Sequence, residues 1–324
     1  MDSDGVTVVE LVAECERVLV RSCDALAESG APLDVRREAR ALVADVAGES
    51  RAWPASQPTA VLSPELAARV REAALRRAAG EPLAYCTGTA AFRHLVLAVD
   101  RRVLIPRPET EMLVELVLER VLQRVESRAA APAAAVPGPG AGAAPSSPPG
   151  ADSGLAIDVG TGSGAIALAL ASEGRFARVI GTDLSADALT VARANAARCA
   201  GQLRVPVEFR EGDALAPVRG ERATVIVANP PYISPDETDA VAASVREWEP
   251  HLALFADGDG MAVIAAIVAG SAGVLEPGGL LALEVDARRA DRAAQLVRDD
   301  ARFGPVEVVR DLAGRERFVL AALR

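Results

Sequence analysis

The chain has 324 residues, of which 50% are hydrophobic and 25% charged, and its formal net charge is −10. This composition is typical of a globular protein with one or two domains, and the acidic balance argues against nucleic acid as a direct partner, because such proteins usually carry a basic surface. All 35 basic residues are arginine, which excludes chemistry that needs a lysine, such as a P-loop or a Schiff base.

Residue counts and hydropathy also argue against a metal centre, a Cys-x-x-Cys motif and a membrane-spanning segment. Two histidines, His94 and His251, are too few for a histidine-rich centre, and we expect no metal. The four cysteines lack Cys-x-x-Cys spacing and are expected to be free thiols: Cys15, Cys23, Cys86 and Cys199. No apolar run is long enough to span a bilayer, and the acidic N-terminal segment differs from a basic signal peptide, so we expect no membrane association and a cytoplasmic location.

Residues 1–85 are predicted to form a small helical domain. Thr7-x-x-Glu10 resembles a capping box at the start of a first helix. A second helix is predicted from Asp34 to near Gly48, and a third begins at Ser63-Pro64 and ends near Gly80. Nothing in this segment indicates catalysis, which favours a role in docking a partner.

A linker and an insertion are predicted next. Within residues 86–106, the loosely alternating run His94–Val99 and the short apolar run Arg102–Ile105 predict a β-hairpin linker. A helix is predicted from Arg107 to about Arg128. The Ala/Pro/Gly/Ser tract at about 129–153 cannot bury a core, and we expect a disordered loop without chemistry of its own.

Within the third predicted domain, residues 107–324, strands and helices alternate from Leu155 onward. The predicted strands are Leu155–Val159, Val179–Thr182, Val207–Arg210, Thr224–Ala228, Leu280–Val285, Val306–Arg310 and Phe318–Leu323. Helices such as Ala165–Ser172 and Ala186–Ala200 fill the gaps. This alternation predicts an α/β fold with a mainly parallel sheet and helices on both faces.

Candidate binding residues follow the first three strands. The glycine-rich turn Gly160-Thr161-Gly162-Ser163-Gly164 lets backbone approach a ligand closely, although such a turn alone could reflect packing. Asp183 ends the second strand, where a carboxylate can accept from a ribose diol or can cap the next helix. Asp213 could accept from an adenine amino group, with the Ala214 N–H meeting a ring nitrogen, or it could be a surface-turn residue.

The fourth strand ends in Asn229-Pro230-Pro231-Tyr232, a stiff turn because both prolines fix φ and lack a backbone donor. The Asn229 side-chain oxygen and the Pro230 carbonyl can accept from a planar NH2 group, and Tyr232 can pack on its face. In isolation, Asn229 could equally be a turn residue that ends a strand. Ligands of open α/β sheets bind at this carboxyl edge.

The order of these turns along the chain favours ligand binding over the packing, capping and turn roles that each residue could have alone. A glycine loop, two acids and the Asn-Pro-Pro-Tyr turn follow four successive strands, and this series resembles the class I S-adenosylmethionine-dependent methyltransferases. The last turn narrows the resemblance to enzymes that methylate a planar nitrogen, either on a base or on a side-chain amide.

Flanking motifs narrow the resemblance further. They are Arg76-Arg77-x-x-x-Glu81-Pro82-x-x-Tyr85-x-x-Gly88-x-x-x-Phe92, Arg107-Pro108-Glu109-Thr110-Glu111, Glu249-Pro250-x-x-Ala253-Leu254-Phe255, Gly258-Asp259-Gly260 and Asp311-Leu312-Ala313-Gly314-Arg315-Glu316-Arg317. Together they resemble the release factor glutamine methyltransferase family over nearly the whole chain. One departure is at Glu284, which is followed by Val285-Asp286 where the family often carries Gly and Gln.

The resemblance implies a seven-stranded, Rossmann-like methyltransferase domain preceded by a helical bundle and a β-hairpin linker. It implies S-adenosylmethionine as cofactor, S-adenosylhomocysteine as product, and class I peptide chain release factors as partners, methylated on the Gln of their Gly-Gly-Gln motif. Asn229, Pro230 and Tyr232 would be catalytic, with Pro231 also touching substrate. We expect a monomer, and we leave the roles of Arg107 and Glu111 open between function and capping.

Two other functions remain open at this point. A methyltransferase acting on N6 of adenine or on guanine, in DNA or ribosomal RNA, would share the Asn-Pro-Pro-Tyr chemistry, but the acidic net charge and the flanking motifs argue against it. A non-catalytic protein that binds S-adenosylmethionine and docks release factors would not need a turn suited to an NH2 group. A dinucleotide oxidoreductase is disfavoured by the glycine spacing and the double proline.

Overall fold

The computed structural model describes residues 5–21, 34–130 and 154–324. Cys23 and residues 131–153 of the predicted loop therefore lie outside the described residues, whereas Ala129 and Ala130 belong to a helix. The chain divides into two units: the first comprises residues 1–90, 98–105 and 236–251, and the second comprises residues 91–97, 106–235 and 252–324. The three predicted domain ranges, 1–85, 86–106 and 107–324, stay a prediction.

The first unit is built from helices that cover a small apolar core. Its first elements are β1 (Val6–Thr7), α1 (Val8–Val20), α2 (Val35–Ala47), α3 (Trp53–Ser56), β2 (Val61–Leu62), α4 (Pro64–Ala78) and α5 (Leu83–Thr87). The predicted capping box is present, because Thr7 Oγ1 accepts from the Glu10 N–H and the Thr7 N–H donates to Glu10 Oε2. Apolar residues at helical spacing, such as Leu11, Leu42 and Val70, fill the core.

Two later segments of the chain pack together within the first unit. The Arg101 guanidinium lies 4.1 Å from the centre of the Trp248 ring, a cation–π arrangement. The carboxylate of Glu249, which is buried, accepts from the Ile105 N–H at 3.2 Å. The Glu249-Pro250 motif of the sequence therefore has a structural partner in the segment 98–105.

The predicted hairpin is present, but one of its strands differs from the prediction. It is formed by β3 (Thr89–Phe92) and β4 (Leu95–Ala98), so the apolar run Arg102–Ile105 is not a strand. The hydroxyl of Tyr85 donates to the Val103 carbonyl at 2.6 Å. The Arg102 N–H donates to Asp100 Oδ1 and the Ile105 N–H to Glu249, so side chains satisfy these backbone groups in place of a neighbouring strand.

The second unit contains the predicted seven-stranded sheet. Its strands are β5 (Leu155–Val159), β6 (Arg178–Asp183), β7 (Val207–Glu211), β8 (Ala223–Ala228), β9 (Leu275–Glu284), β10 (Phe303–Arg310) and β11 (Glu316–Leu323). Their order is β10-β11-β9-β8-β5-β6-β7, and β11 alone runs opposite to the other six strands. The chain leaves β5 in one direction for β6 and β7 and resumes on the other side at β8, which makes the β5–β8 boundary the topological switch point.

Helices cover both faces of this sheet. The remaining α-helices along the chain are α6 (Pro108–Ala130), α7 (Ala165–Glu173), α8 (Ala186–Arg198), α9 (Ala243–Arg246), α10 (His251–Leu254), α11 (Asp257–Gly260), α12 (Ala262–Ser271) and α13 (Ala290–Asp299). One apolar core holds residues of α6 and α7 with Val225 and Val227 of β8, and the other holds residues of α12 and α13 with Ile226 and Ala228. Because β8 is buried on both faces, it is apolar at every position except Thr224. No helix in the described part of the chain combines the length and hydropathy that a bilayer crossing requires.

We predict that Leu113→Ala lowers the free energy of unfolding by about 2–5 kcal/mol, because it leaves a cavity where a fully buried side chain of α6 packs against the sheet. Leu122→Ala on the same helix is the matched control, since this side chain is 51% exposed and its loss should cost less than about 0.5 kcal/mol. Urea unfolding of both full-length variants, followed by circular dichroism, measures the difference. Equal losses would contradict the assigned packing of α6.

Candidate active site

The glycine-rich turn after β5 is attached to the end of the neighbouring strand β6. The N–H groups of Gly160 and Thr161 both donate to the Thr182 carbonyl at 2.8 Å, and the Gly162 N–H donates to Asp183 Oδ2 at 2.8 Å. Gly160 and Gly162 have positive φ values, 73° and 54°. Because only glycine adopts such a backbone without strain, these positions give the turn its shape.

The third glycine has a different surrounding. A side chain at Gly164 would place its Cβ 3.2 Å from Leu168 Cδ1, whereas a Cβ at Gly160 or Gly162 would meet no atom within 4 Å. A Cβ at Gly164 would also lie 3.4 Å from Ala192 Cβ of α8, so this glycine allows the start of α7 to pack closely against α8. The first two glycines border open space.

The two hydroxyl residues of the turn are buried and have partners inside the protein. Thr161 Oγ1 donates to Asp158 Oδ2 at 2.6 Å, and the Ser163 carbonyl accepts from Asn195 Nδ2 at 2.9 Å. These contacts hold the turn in place. Of the predicted cofactor residues in the turn, Thr161 and Ser163 thus have an observed structural role, which the sequence did not indicate.

Asp183 is held by backbone donors on both oxygens. Oδ2 accepts from Gly162, and Oδ1 accepts from the Ser185 N–H at 2.9 Å. Burial raises the pKa of Asp183, and the hydrogen bonds from the backbone of Ser185 and Gly162 oppose this rise. Ser185 is the residue whose side chain caps α8, through the Ala188 N–H, so the carboxylate of Asp183 is not the helix cap itself.

The end of β7 lies next to Asp183 through backbone contacts. The Gly212 N–H donates to the Asp183 carbonyl at 2.9 Å, and Thr182 Oγ1 donates to the Ala214 carbonyl at 3.2 Å. Ala214 has a φ of 44°, in the left-handed region. The Asp213 side chain is exposed at this turn, so the structure brings Asp213 and Ala214 to the same edge as Asp183.

The Asn-Pro-Pro-Tyr turn begins where β8 ends, beside β5 on one side and β9 on the other. Ala228 is paired with Val159 and with Leu283, so Asn229 follows directly at the carboxyl edge of the sheet. The Asn229 side chain donates from Nδ2 to Thr110 Oγ1 at 3.1 Å. Thr110 lies in the first turn of α6, within the motif Arg107–Glu111, and the sequence did not indicate its contact with Asn229.

The chain beyond the two prolines is anchored at its backbone. The Ile233 N–H donates to the Leu254 carbonyl at 3.0 Å, and the Ala256 N–H donates to the Ile233 carbonyl at 2.9 Å. Gly260 packs so closely against this segment that a Cβ there would overlap the Tyr232 carbonyl. The motif Gly258-Asp259-Gly260 therefore contains a glycine that the position of Tyr232 requires.

Two ionisable side chains border Asn229. Burial, together with the nearby Glu284 carboxylate, raises the pKa of Tyr232 to about 12, so Tyr232 is a neutral phenol near pH 7. Burial also raises the pKa of Glu284 to about 7, against a hydrogen bond from Thr110 and the charge of Arg317. Glu284 Oε2 is buried and has no hydrogen-bond partner within the described residues.

Arg107 and Glu111, whose roles the sequence left open, have different surroundings. The positive charge of Arg107 lies close enough to lower the pKa values of both Tyr232 and Glu284. Glu111 instead binds the turn of the hairpin, where its carboxylate accepts from the Arg93 N–H at 3.1 Å and its carbonyl accepts from the Arg93 guanidinium at 3.0 Å. The observed contacts of Glu111 are structural.

The three free cysteines that the structure describes, Cys15, Cys86 and Cys199, are buried, and burial raises the pKa of each thiol. Among the described residues, no group of three or more His, Cys, Asp or Glu side chains is arranged to hold a metal ion. The groups available at this edge are therefore backbone donors, carboxylates, amides and one phenol.

We predict that Asp158→Asn makes the free energy of unfolding less dependent on pH. Burial raises the pKa of Asp158 from 3.8 to about 7, so the folded protein holds a proton that the unfolded chain releases. This carboxyl therefore stabilises the fold at low pH, and its contribution is lost as pH rises from about 4 to about 7, by up to about 1.4 kcal/mol per pH unit.

Urea unfolding between these pH values measures the slope. Asp213→Asn removes an exposed carboxylate at the same edge and is the matched control, which should keep the wild-type slope. An Asp158→Asn variant with an unchanged slope would show that Asp158 is ionised throughout.

Comparison with known proteins identifies two sequence families. The PrmC N-terminal domain matches residues 18–88, and the methyltransferase small domain matches residues 147–253. Proteins named release factor glutamine methyltransferase are similar over most of the chain. The Moorella thermoacetica protein is 40% identical over 263 residues, which are 81% of this chain and 82% of that protein.

Two further relatives with the same name extend this coverage. The Bordetella pertussis protein is 38% identical over 295 residues, 91% of this chain and 96% of that protein. The Deinococcus radiodurans protein is 36% identical over 304 residues, 94% of this chain and 96% of that protein. With the sheet order and the edge residues described above, these matches show that the chain belongs to the release factor glutamine methyltransferase family.

Proposed function

We propose that this chain transfers the methyl group of S-adenosylmethionine to the side-chain amide nitrogen N5 of the Gln in the Gly-Gly-Gln motif of class I peptide chain release factors. The observation that carries the proposal is the position of Asn229-Pro230-Pro231-Tyr232. This turn leaves β8 at the switch point, directly beside the strand that carries the glycine turn. Relatives named release factor glutamine methyltransferase support the choice of substrate.

The carboxyl edge of β5, β6 and β7 fits S-adenosylmethionine. Open space beside Gly160 and Gly162 accommodates ligand atoms against the backbone, and Asp183 keeps lone pairs for a ribose diol because each carboxylate oxygen accepts more than one hydrogen bond. We assign the adenine to Ala214 and to Asp213, whose side chain is exposed at the same edge. The proposed cofactor residues are Gly160, Thr161, Gly162, Ser163, Gly164, Asp183, Asp213, Ala214 and Asn229.

The bound cofactor supplies an electrophilic methyl group on a sulfonium centre. The protein must position a poor nucleophile, because the lone pair of an amide nitrogen is delocalised into its carbonyl. Asn229 Oδ1 and the Pro230 carbonyl accept the two N–H protons of the glutamine amide, which orients the nitrogen and stabilises its developing positive charge. The nitrogen then releases one proton to water. Neither Pro230 nor Pro231 has an N–H group, so the turn presents acceptors to the substrate.

Tyr232 is assigned a packing role. Its raised pKa keeps the phenol neutral, which makes it unsuitable as a base near pH 7. The side chain packs against the core that contains Ile226 and Ala228, and the Tyr232 backbone lies against Gly260. We assign the ring to the face of the glutamine side chain, together with Pro231.

The finer features of the partner complex belong to the same proposal. Residues 1–85 would dock the release factor, residues 86–106 would link, and residues 107–324 would carry the transfer. We propose that the chain acts as a monomer, without nucleic acid, in the cytoplasm where release factors function. The net charge of −10 supports a protein partner over a nucleic acid.

The direct test incubates the purified chain and S-adenosylmethionine with a class I release factor, with ribosomal RNA and with DNA. Mass spectrometry of the release factor should show one added CH2 on the glutamine of its Gly-Gly-Gln peptide. Methylation of nucleic acid alone would replace the proposal with the base-methylating alternative. Cofactor binding without transfer to any substrate would favour the non-catalytic alternative.

We predict that Asn229→Ala lowers kcat about 10²–10³-fold, because it removes one acceptor that stabilises charge in the transition state. Tyr232→Phe is the control, since it keeps the ring and removes only a neutral hydroxyl, and its kcat should stay within a few-fold of wild type. Single-turnover methylation of the release factor measures both variants. If Asn229→Ala retains wild-type turnover, the amide has no part in the transfer.

We predict that Asp183→Ala weakens S-adenosylmethionine binding about 10–100-fold, because it removes a carboxylate that binds hydroxyl groups and orders the glycine turn. Glu211→Ala is the matched control. Glu211 pairs with Asp183 across β6 and β7, but its side chain is exposed. Isothermal calorimetry of both variants gives the comparison, and equal affinities would remove Asp183 from the cofactor site.

A further inference from the structure

Two buried side chains outside the predicted site are linked to the Asn229 amide, Thr110 directly and Glu284 through Thr110. Thr110 lies in the first turn of α6, and Glu284 is the last residue of β9. Thr110 is 5% exposed and Glu284 is 1% exposed. Because Leu283 of β9 is paired with Ala228 of β8, Glu284 and Asn229 leave adjacent strands at the same level. The Thr110 hydroxyl joins them, because it hydrogen-bonds both the Asn229 amide and the Glu284 carboxylate.

The polarity of these contacts follows from the donors that each group has. An ionised carboxylate only accepts, so the single hydroxyl proton of Thr110 is donated to Glu284. Thr110 Oγ1 is then left to accept, and it accepts from Asn229 Nδ2 at 3.1 Å. This turns the NH2 of Asn229 toward Thr110 and leaves Oδ1 as the atom that can face a substrate.

The opposite orientation of the Asn229 amide would present its NH2 group, instead of Oδ1, to the substrate. If the amide of Asn229 were rotated, its two N–H donors would face the N–H donors of a glutamine amide, and no hydrogen bond could form between them. An amide side chain has no strong preference of its own between these orientations. The neighbouring hydrogen bonds must therefore decide which one the site adopts.

We infer that Glu284, acting through the Thr110 hydroxyl, is a positioning residue that fixes the orientation of the Asn229 amide and so makes the site select a substrate nitrogen with two N–H donors. The inference rests on the proposed function for its substrate. It adds a source of specificity: a carboxylate or an ester in place of the glutamine amide would bring oxygen atoms against Oδ1 and the Pro230 carbonyl, with no proton between them.

The charges around Glu284 make this arrangement sensitive to pH. Arg317 and Arg107 favour the ionised carboxylate, Glu109 disfavours it, and Tyr232 is the nearby phenol. Arg317 is itself paired with Asp311 at 2.9 Å. Burial outweighs these charges and raises the pKa of Glu284 to about 7. A protonated Glu284 can donate to Thr110, which frees the Thr110 proton for Asn229 Oδ1 and releases the amide from its productive orientation.

The kinetic test is a double-mutant cycle on the full chain with release factor and S-adenosylmethionine. Thr110→Val keeps the shape and removes the hydroxyl, and Glu284→Gln keeps the shape and supplies a donor. We expect each to lower kcat at least about 10-fold, and the double variant to be no worse than Thr110→Val, because both changes break one chain of contacts.

Thr110→Ser retains the hydroxyl and should recover kcat to within a few-fold of wild type. Cofactor affinity should be unchanged in all four variants. Losses that add in the double variant would overturn the inference, as would a Thr110→Val variant with wild-type kcat.

A second readout does not depend on activity. In the ligand-free protein, the NMR signals of the Asn229 side-chain NH2 should shift with pH around a midpoint of about 7, and Glu284→Gln should abolish this titration. The kcat of the wild type should fall below the same pH, while Glu284→Gln should lose this pH dependence. Signals that titrate identically in Glu284→Gln would overturn the inference even if methylation is intact. Signals that respond as expected, in a protein that methylates no release factor, would reject the proposed function and leave the amide orientation standing.

Discussion

The site depends on one register of strand pairing. Val159 of β5 is paired with Thr182 of β6 on one side and with Ala228 of β8 on the other. The residues that follow these three positions are Gly160, Asp183 and Asn229, and neighbouring strands lie about 4.8 Å apart. Parallel pairing therefore gathers a close-approach turn, a carboxylate and an amide at one edge, although they are far apart along the chain. If one of the three strands were paired one residue out of register, the residue that follows it would no longer lie at the same level as the other two.

This edge is also where the protein keeps carboxyl groups in surroundings that disfavour their charge. Burial raises the pKa of Asp158, Asp183 and Glu284, and in each case donors from a neighbouring turn or hydroxyl group compensate only in part. The compensating donors are the backbone N–H groups of Gly162, Ser185 and Ala167 and the hydroxyls of Thr161 and Thr110. Incomplete compensation is typical of binding sites, where local stability is lower so that groups remain available to a ligand.

The central strands of the sheet were located because a strand that is buried on both faces has a nearly continuous apolar run, as in Thr224–Ala228, and the turns between strands contain glycine and proline. Residues that meet only in three dimensions could not be located in this way. Thr110 lies within the motif Arg107–Glu111, whose charged residues suggested a role in the sequence. Glu284 is far from Thr110 along the chain, with four strands of the sheet between them in the sequence. The strand paired with His94–Val99 was also misplaced, because Arg102–Ile105 has strand-like residues whose backbone groups bond the side chains of Tyr85, Asp100 and Glu249. A single sequence contains no signal for such a side-chain partner.

The long helix α6 runs between the two edges of the sheet. Its first turn carries Thr110 beside Asn229, and near its other end Arg124 binds Glu276 and the Pro277 carbonyl, at the start of β9. The Ala/Pro/Gly/Ser-rich tract joins Ala130, beyond Arg124, to Gly154 at the start of β5, so both of its attachment points lie at the amino edge, across the sheet from the site. The described ends of this connection are therefore fixed at the edge opposite Gly160, Asp183 and Asn229, so a change in its length can leave intact the strand pairing that gathers these three residues.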